Sequence, residues 1–265
     1  MFRVSCIQLK SSDNLLYNLK RTQILVKKAI NQKADFILTP EVSSFFSLNK
    51  KQLLKKCTTM KKDKYLIGIR KMAKNYKKWI LVGSLIVKEK KNKLVNRSVL
   101  INPKGFIVTY YDKIHMYDAV LSKKESYSES KTFSPGKKFN YVKLPWGKLG
   151  FSICYDLRFP HLYRKLAQKG CIFLAVPSAF TETTGKKHWH TLLKARAIEN
   201  YCYIFAPAQG GKHFNGRKTF GNSLIVSPDG KIIKDLKKKE GVITATIDPK
   251  LPLVLRKKIP SLLFD

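Results

Sequence analysis

The first residues, Phe2 to Leu9, alternate with the two-residue period of a half-buried strand, and the period then lengthens. Between 14 and 32, Leu15, Leu19, Ile24, Leu25 and Ala29 recur at helical spacing, which predicts an amphipathic helix. Phe36-Ile37-Leu38 is a short buried strand stopped by Thr39-Pro40-Glu41. Residues 51–76 read as one or two helices, followed by strands at Trp79–Val87 and Asn96–Ile101. Asn102-Pro103-Lys104-Gly105 predicts a turn into the strand Phe106–Tyr111. Pro145-Trp146-Gly147 turns the chain between strands Tyr141–Leu144 and Leu149–Ile153. A helix at 159–169 closes on Gly170, then strand Cys171–Val176, helix 187–200 and strand Tyr201–Ala206 follow. Ser227-Pro228-Asp229-Gly230 joins strands Phe220–Val226 and Lys231–Lys234, and Gly241–Ile247 is the last strand. Strands alternate with helices in both halves, with hairpins between, so the pattern predicts a mixed α/β layered architecture. No repeat or low-complexity linker divides it, and one domain over 1–265 is expected.

Composition narrows the class. A chain of 265 residues with 44% apolar content can bury a substantial core. It has no apolar run near the roughly 20 residues of a membrane span. The first nine residues turn polar too soon for a secretory signal, so a soluble, cytoplasmic protein is expected. Five cysteines without CxxC spacing argue against both a disulfide framework and a zinc site. Cys6, Cys171 and Cys202 sit among apolar residues, as small buried hydrophobes do. Neither a metal nor an organic cofactor is implied. The net charge of +36 raises the question of nucleic acid. Only nine of the 53 basic residues are arginine, and lysines occupy nearly every predicted loop and helix face. They concentrate modestly in 50–93, with no zinc finger, helix-turn-helix or stacking platform beside them. The distribution reads as a compositional skew of solvated faces, and no specific nucleic acid or membrane partner is expected. The field would still attract small anions.

Three short segments could carry chemistry. Gly150-Phe151-Ser152-Ile153-Cys154-Tyr155-Asp156-Leu157-Arg158 runs a strand into a cysteine, with a helix shortly after. That is the geometry of a nucleophile on a sharp turn with backbone N–H groups just beyond it. A structural cysteine closing a strand is the alternative, and the polar residues directly after Cys154 weigh against it. Glu41, past a strand and a stiffening proline, reads as a helix-start acid or as a partly buried base. Lys113 stands between aromatics and an aspartate after a hairpin strand, where one lysine among 44 is ordinarily solvated.

In the order Glu41, Lys113, Cys154, with these flanks, the chain resembles the nitrilase superfamily and its Glu-Lys-Cys triad. Within it the sequence is similar to the amidase branch named for the Nit proteins, whose members hydrolyse deaminated glutathione. Supporting segments are Pro177-Ser178-Ala179-Phe180, Thr184-Gly185, His188-Trp189, Ala195-Arg196-Ala197-Ile198-Glu199-Asn200 and Gly221-Asn222-Ser223-Leu224. The resemblance implies a four-layer α-β-β-α sandwich, commonly paired as a homodimer or higher homo-oligomer. It implies Cys154 as nucleophile, Glu41 as general base, and Lys113 with the Tyr155 N–H as oxyanion donors. Glu129, six residues before Pro135, would orient Lys113 or the substrate; a solvated loop acid is its other reading. Arg158 is the candidate carboxylate clamp, or else an interior ion-pair partner of Asp156 or another acid. Phe180 and Thr184 are expected in a loop across the pocket mouth. His161 departs from the family pattern, which places an acid after Arg-Phe-Pro. The implied substrate is a small anionic amide, best matched by deaminated glutathione. An ω-amidase on 2-oxoglutaramate, an N-carbamoyl amine hydrolase and a basic nucleic-acid-associated protein are the alternatives.

Overall fold

Alternating side chains on the strands and apolar stripes on the helices must be buried on facing surfaces, and the topology does this twice. The computed structural model describes residues 1–90, 93–123 and 125–264. The first half runs β1 (Phe2–Gln8), α1 (Leu15–Asn31), β2 (Phe36–Leu38), α2 (Lys50–Lys56) and α3 (Lys64–Tyr76). It continues through β3 (Trp79–Lys90), β4 (Lys93–Ile101), β5 (Ile107–Asp112), β6 (Asp118–Ser122) and β7 (Glu125–Ser128). The second half holds β8 (Tyr141–Leu144), β9 (Gly147–Phe151), α4 (Pro160–Gln168), β10 (Cys171–Ala175), α5 (Glu182–Asn200) and β11 (Tyr203–Ala206). Then come β12 (Gly210–Lys212), β13 (Lys218–Phe220), β14 (Leu224–Val226), β15 (Ile232–Asp235), β16 (Gly241–Ile247) and α6 (Leu251–Lys258).

Two six-stranded sheets form, in the orders β16-β1-β2-β3-β4-β5 and β15-β14-β11-β10-β9-β8. Strand parity decides what each face meets. Phe2, Val4 and Cys6 of β1, Phe36 and Leu38 of β2, Leu81 of β3 and Leu100 of β4 share one cluster with Phe151, Phe173 and Phe205 of the second sheet. Phe2 meets Phe173 edge-on at 5.3 Å and Phe36 meets Phe205 at 6.4 Å, so the sheets lie face to face. The opposite parity, Ile7, Ile37, Ile80, Val82, Val99 and Ile101, packs with Leu25, Val26 and Ala29 of α1 and Leu66, Ile69 and Ala73 of α3. Helices α4 and α5 cover the outer face of the second sheet, where Gly150 leaves room for Leu166. The layers are therefore α-β-β-α, with both faces of the central strands buried.

Three local readings of the elements are corrected by the structure. Ile24 is 54% exposed. The buried stripe of α1 instead runs Asn18-Thr22-Leu25-Ala29, because Asn18 bonds Ser12 and Ser44 and Thr22 bonds Tyr65. Helix α5 begins at Glu182 rather than 187, since Thr181 caps it by accepting the Thr184 N–H. The expected strand Phe220–Val226 is broken by Gly221 and Asn222 at φ 69° and 55°, which send β13 and β14 to different sheets. The aperiodic stretch after Lys113 folds as the hairpin β6–β7. Among the described residues, no helix is long and apolar enough to cross a membrane. Lys113 is buried, while the other lysines with a described side chain are exposed or half-buried.

Candidate active site

Strand β2 stops after three residues, and its continuation, Thr39-Pro40-Glu41, is clasped by an irregular stretch of β3. The Gly83 N–H donates to Thr39 Oγ1, the Ser84 N–H to the Pro40 carbonyl, and the Val42 N–H to Ser84 Oγ. A Cβ on Gly83 would stand 1.8 Å from the Thr39 carbonyl oxygen, so only glycine permits this approach. Val42 follows at φ 50°, a left-handed conformation that costs a β-branched residue on the order of 1–3 kcal/mol. The backbone thereby aims Glu41, 3% exposed, into the space between sheet ends. Asn96 of β4 donates to its Oε1 at 2.8 Å, and the Ala179 N–H to its Oε2 at 2.8 Å.

Lys113 follows β5 and is pinned by its own backbone. Its N–H donates to the Asn96 carbonyl at 2.9 Å, and its carbonyl accepts the Gly136 N–H at 2.7 Å. The side chain, 1% exposed, bridges two carboxylates: Nζ lies 3.1 Å from Glu41 Oε1 and 2.7 Å from Glu129 Oε2. Glu129 also accepts the Tyr117 N–H at 2.7 Å, so it is a fixed partner of Lys113 and not a solvated loop acid.

Cys154 stands just beyond β9 at φ 50° and opens a 3-10 turn, Cys154–Arg158. Its N–H donates to the Pro177 carbonyl at 2.9 Å, and its buried thiol is electrostatically coupled to Glu41 and Lys113. The Tyr155 N–H lies at the open start of that turn, where a helix leaves donors without partners of its own. Asp156 holds the turn in place. It accepts from the Ile153 N–H at 2.8 Å, Tyr111 Oη at 2.7 Å and the His115 N–H at 3.0 Å, with His115 Nδ1 at 2.7 Å. Occupied in this way, Asp156 leaves Arg158 to bond His188 Nδ1 at 3.2 Å, and the alternative Arg158–Asp156 pair is not formed. His161 packs edge-on to His115 at 5.8 Å, beside that hub.

The charges settle one another. Burial works against the Lys113 charge, but Glu129 and Glu41 hold its pKa above the ordinary 10.5. Burial would raise Glu41; the charge and hydrogen bond of Lys113, the Cys154 thiol and the Arg217 charge reverse this and leave it below 4.5. Burial and the Glu41 charge push the Cys154 thiol well above 9.0, against the pull of Lys113. At rest the set is carboxylate, ammonium and neutral thiol. Among the described residues, no three His, Cys, Asp or Glu side chains gather as a metal site.

Cys154 shares a narrow space of about 10 Å³ with Tyr155, Arg158, Phe180, Thr184 and Arg217. Thr184 lies in the first turn of α5 rather than in a loop, a consequence of the Thr181 cap. Adjoining it, Glu41, Asn96, Tyr117, Tyr127, Glu129 and Arg217 line a cavity of about 390 Å³. Asn96, Tyr117, the Ala179 N–H and Arg217 were not singled out from sequence. Arg217 alone had a usable signal: an arginine retained in a lysine-rich chain marks a site where a planar fork matters.

Comparison with known proteins finds relatives along nearly the whole chain. A deaminated glutathione amidase of Synechocystis sp. strain PCC 6803 is 38% identical over 267 aligned positions, covering 98% of this chain and 97% of that protein. The C. elegans NitFhit crystal structure superposes with a TM-score of 0.93 at 32% identity, over all of this chain and 65% of the other. Saccharomyces cerevisiae Nit3, described as a member of branch 10 of the nitrilase superfamily, gives 0.87 at 27% identity, covering 98% and 94%. The carbon-nitrogen hydrolase family matches residues 3–252, and the chain belongs to that family.

Proposed function

We propose that this protein is an amidase that cleaves the C–N bond of small anionic amides through a thioester on Cys154. One observation carries the reading: Lys113, a buried cation, bridges two carboxylates and is coupled to a buried thiol, Cys154. With Glu41 ionised and the thiol neutral, a standing thiolate is disfavoured. The proton passes to Glu41 as sulfur attacks the amide carbon. Lys113 spends two of its three N–H donors on Glu41 and Glu129, so the third is available to the developing oxyanion, with the Tyr155 N–H as second donor. Glu41 then protonates the departing amine and activates the water that hydrolyses the thioester. Glu129 is a positioning residue for Lys113. Phe180 and Thr184 wall the acyl end, and Arg158 offers its guanidinium to a carboxylate there.

Deaminated glutathione, a 2-oxo acid amide with a second carboxylate on its amine portion, suits a site with Arg158 and Arg217 on its walls. On this reading 1–265 is one hydrolase domain, working as a homodimer or higher homo-oligomer. Five unpaired, buried cysteines suit a reducing cytoplasm. The test is a panel of ω-amides assayed for amine or ammonia release. Deaminated glutathione should exceed 2-oxoglutaramate in kcat/KM, and Cys154→Ala should lower turnover on the order of 10⁴-fold or more. Unchanged turnover in that variant would remove the triad assignment.

A further inference from the structure

Arg217 is built into the wall of the cavity with no carboxylate of the described residues at ion-pair distance. It sits at the end of the β12–β13 connection, where the His213 N–H donates to the Arg217 carbonyl at 2.8 Å and the Arg217 N–H to Asn215 Oδ1 at 3.1 Å. His213 anchors that connection, with Nδ1 2.9 Å from the Ser11 carbonyl and Nε2 2.7 Å from Thr219 Oγ1. The guanidinium makes cation–π contacts with two rings, 5.3 Å from the centroid of Phe46 and 5.0 Å from that of Tyr127. Its Nη2 donates to the Ala179 carbonyl at 2.8 Å, on the residue whose N–H holds Glu41. Nε is buried with no hydrogen-bond partner, and among the described residues Arg217 makes no ion pair. A half-buried cation fixed in this way is costly unless an anion completes it.

Position decides which anion. Arg158 borders only the narrow space at Cys154, whereas Arg217 also borders the 390 Å³ cavity that contains Glu41 and Glu129. In the reading above Glu41 gives its proton to the leaving nitrogen, so the amine portion of the substrate occupies that cavity. We propose that Arg217 binds a carboxylate on the amine portion of the amide, making it the residue that selects amides with an acidic leaving amine. The inference rests on the amidase reading, and it divides the two substrate carboxylates between Arg158 on the acyl side and Arg217 on the amine side.

The test compares deaminated glutathione with the same compound bearing a carboxamide in place of its glycine carboxylate. In the wild type the free acid should be preferred about 10–100-fold in kcat/KM, carried by KM. In Arg217→Met that preference should fall to near unity, and in Arg217→Lys, which keeps the charge and loses the fork, to an intermediate value. A structural role alone would lower both substrates together and leave their ratio intact. An unchanged ratio in either variant, or no preference in the wild type, overturns the assignment of Arg217 while leaving the amidase reading in place. A wild type that hydrolyses neither compound overturns both.

Discussion

The inner and outer ends of the cavity are built on opposite principles. Glu41, Lys113 and Cys154 are 3%, 1% and 7% exposed, stand at or just past strand ends, and satisfy one another's charge. Arg158 and Arg217 are half-buried, stand in a short turn and a hairpin, and meet rings and neutral groups instead of acids. One region is complete without substrate; the other is short of anions. The account therefore assigns the reaction to the inner region and the choice of amide to the outer one.

Lys113→Met should break the inner region hardest. Loss of an oxyanion donor costs roughly 10²–10³ in kcat. Stranding Glu41 and Glu129 against each other should also cost about 3–5 kcal/mol of folding stability, read by denaturant titration. A variant as stable as the wild type would mean that the bridge is not what holds the two acids. Glu129→Gln tests the same bridge more gently: kcat should drop about 10–100-fold with KM little changed, because Lys113 loses one anchor and the chemistry keeps its parts. Arg158→Met should do the reverse, raising KM about 10-fold for 2-oxo acid amides with kcat nearly constant. A fall in kcat alone would move Arg158 into the inner region.

Acidification separates the regions with the smallest effect on turnover. Glu41 has its pKa lowered, so its contribution is present above the ordinary 4.5 and is lost only as pH falls through its depressed value. Burial pushes His213, the anchor of the Arg217 hairpin, down from 6.5 to about 4. The unfolded chain then binds the extra proton first, and stability should decline by up to about 3 kcal/mol as pH drops from 6.5 to 4. Urea midpoints at pH 7 and 4.5 measure this, and His213→Gln should flatten the difference.

How legible each region was in the sequence follows the same divide. Strand parity and the Pro40, Gly170 and Gly105 punctuation located both sheets, because those elements are buried on two faces and their patterns are strong. Glu41 and Cys154 could be singled out because a polar residue at the end of an apolar run is conspicuous. Lys113 was invisible among 44 lysines until its resemblance to the triad lysine was considered; burial makes it unlike the others, and burial is a tertiary fact. Arg217 and the β6–β7 hairpin lie in aperiodic segments. Arg217 is placed by long-range contacts, its own with the rings of Phe46 and Tyr127 and the hold of its neighbour His213 on Ser11.

The central claim is a thioester on Cys154, and acid-quenched intact-mass analysis during turnover addresses it most directly. Mixing enzyme with deaminated glutathione and quenching in the first turnovers should show a mass increase equal to the acyl portion, mapped by peptide digestion to Cys154. The other four cysteines should remain unmodified, and Cys154→Ala should show neither adduct nor amine release. Amine release that persists in Cys154→Ala, or an acyl group mapped to another residue, would contradict the account.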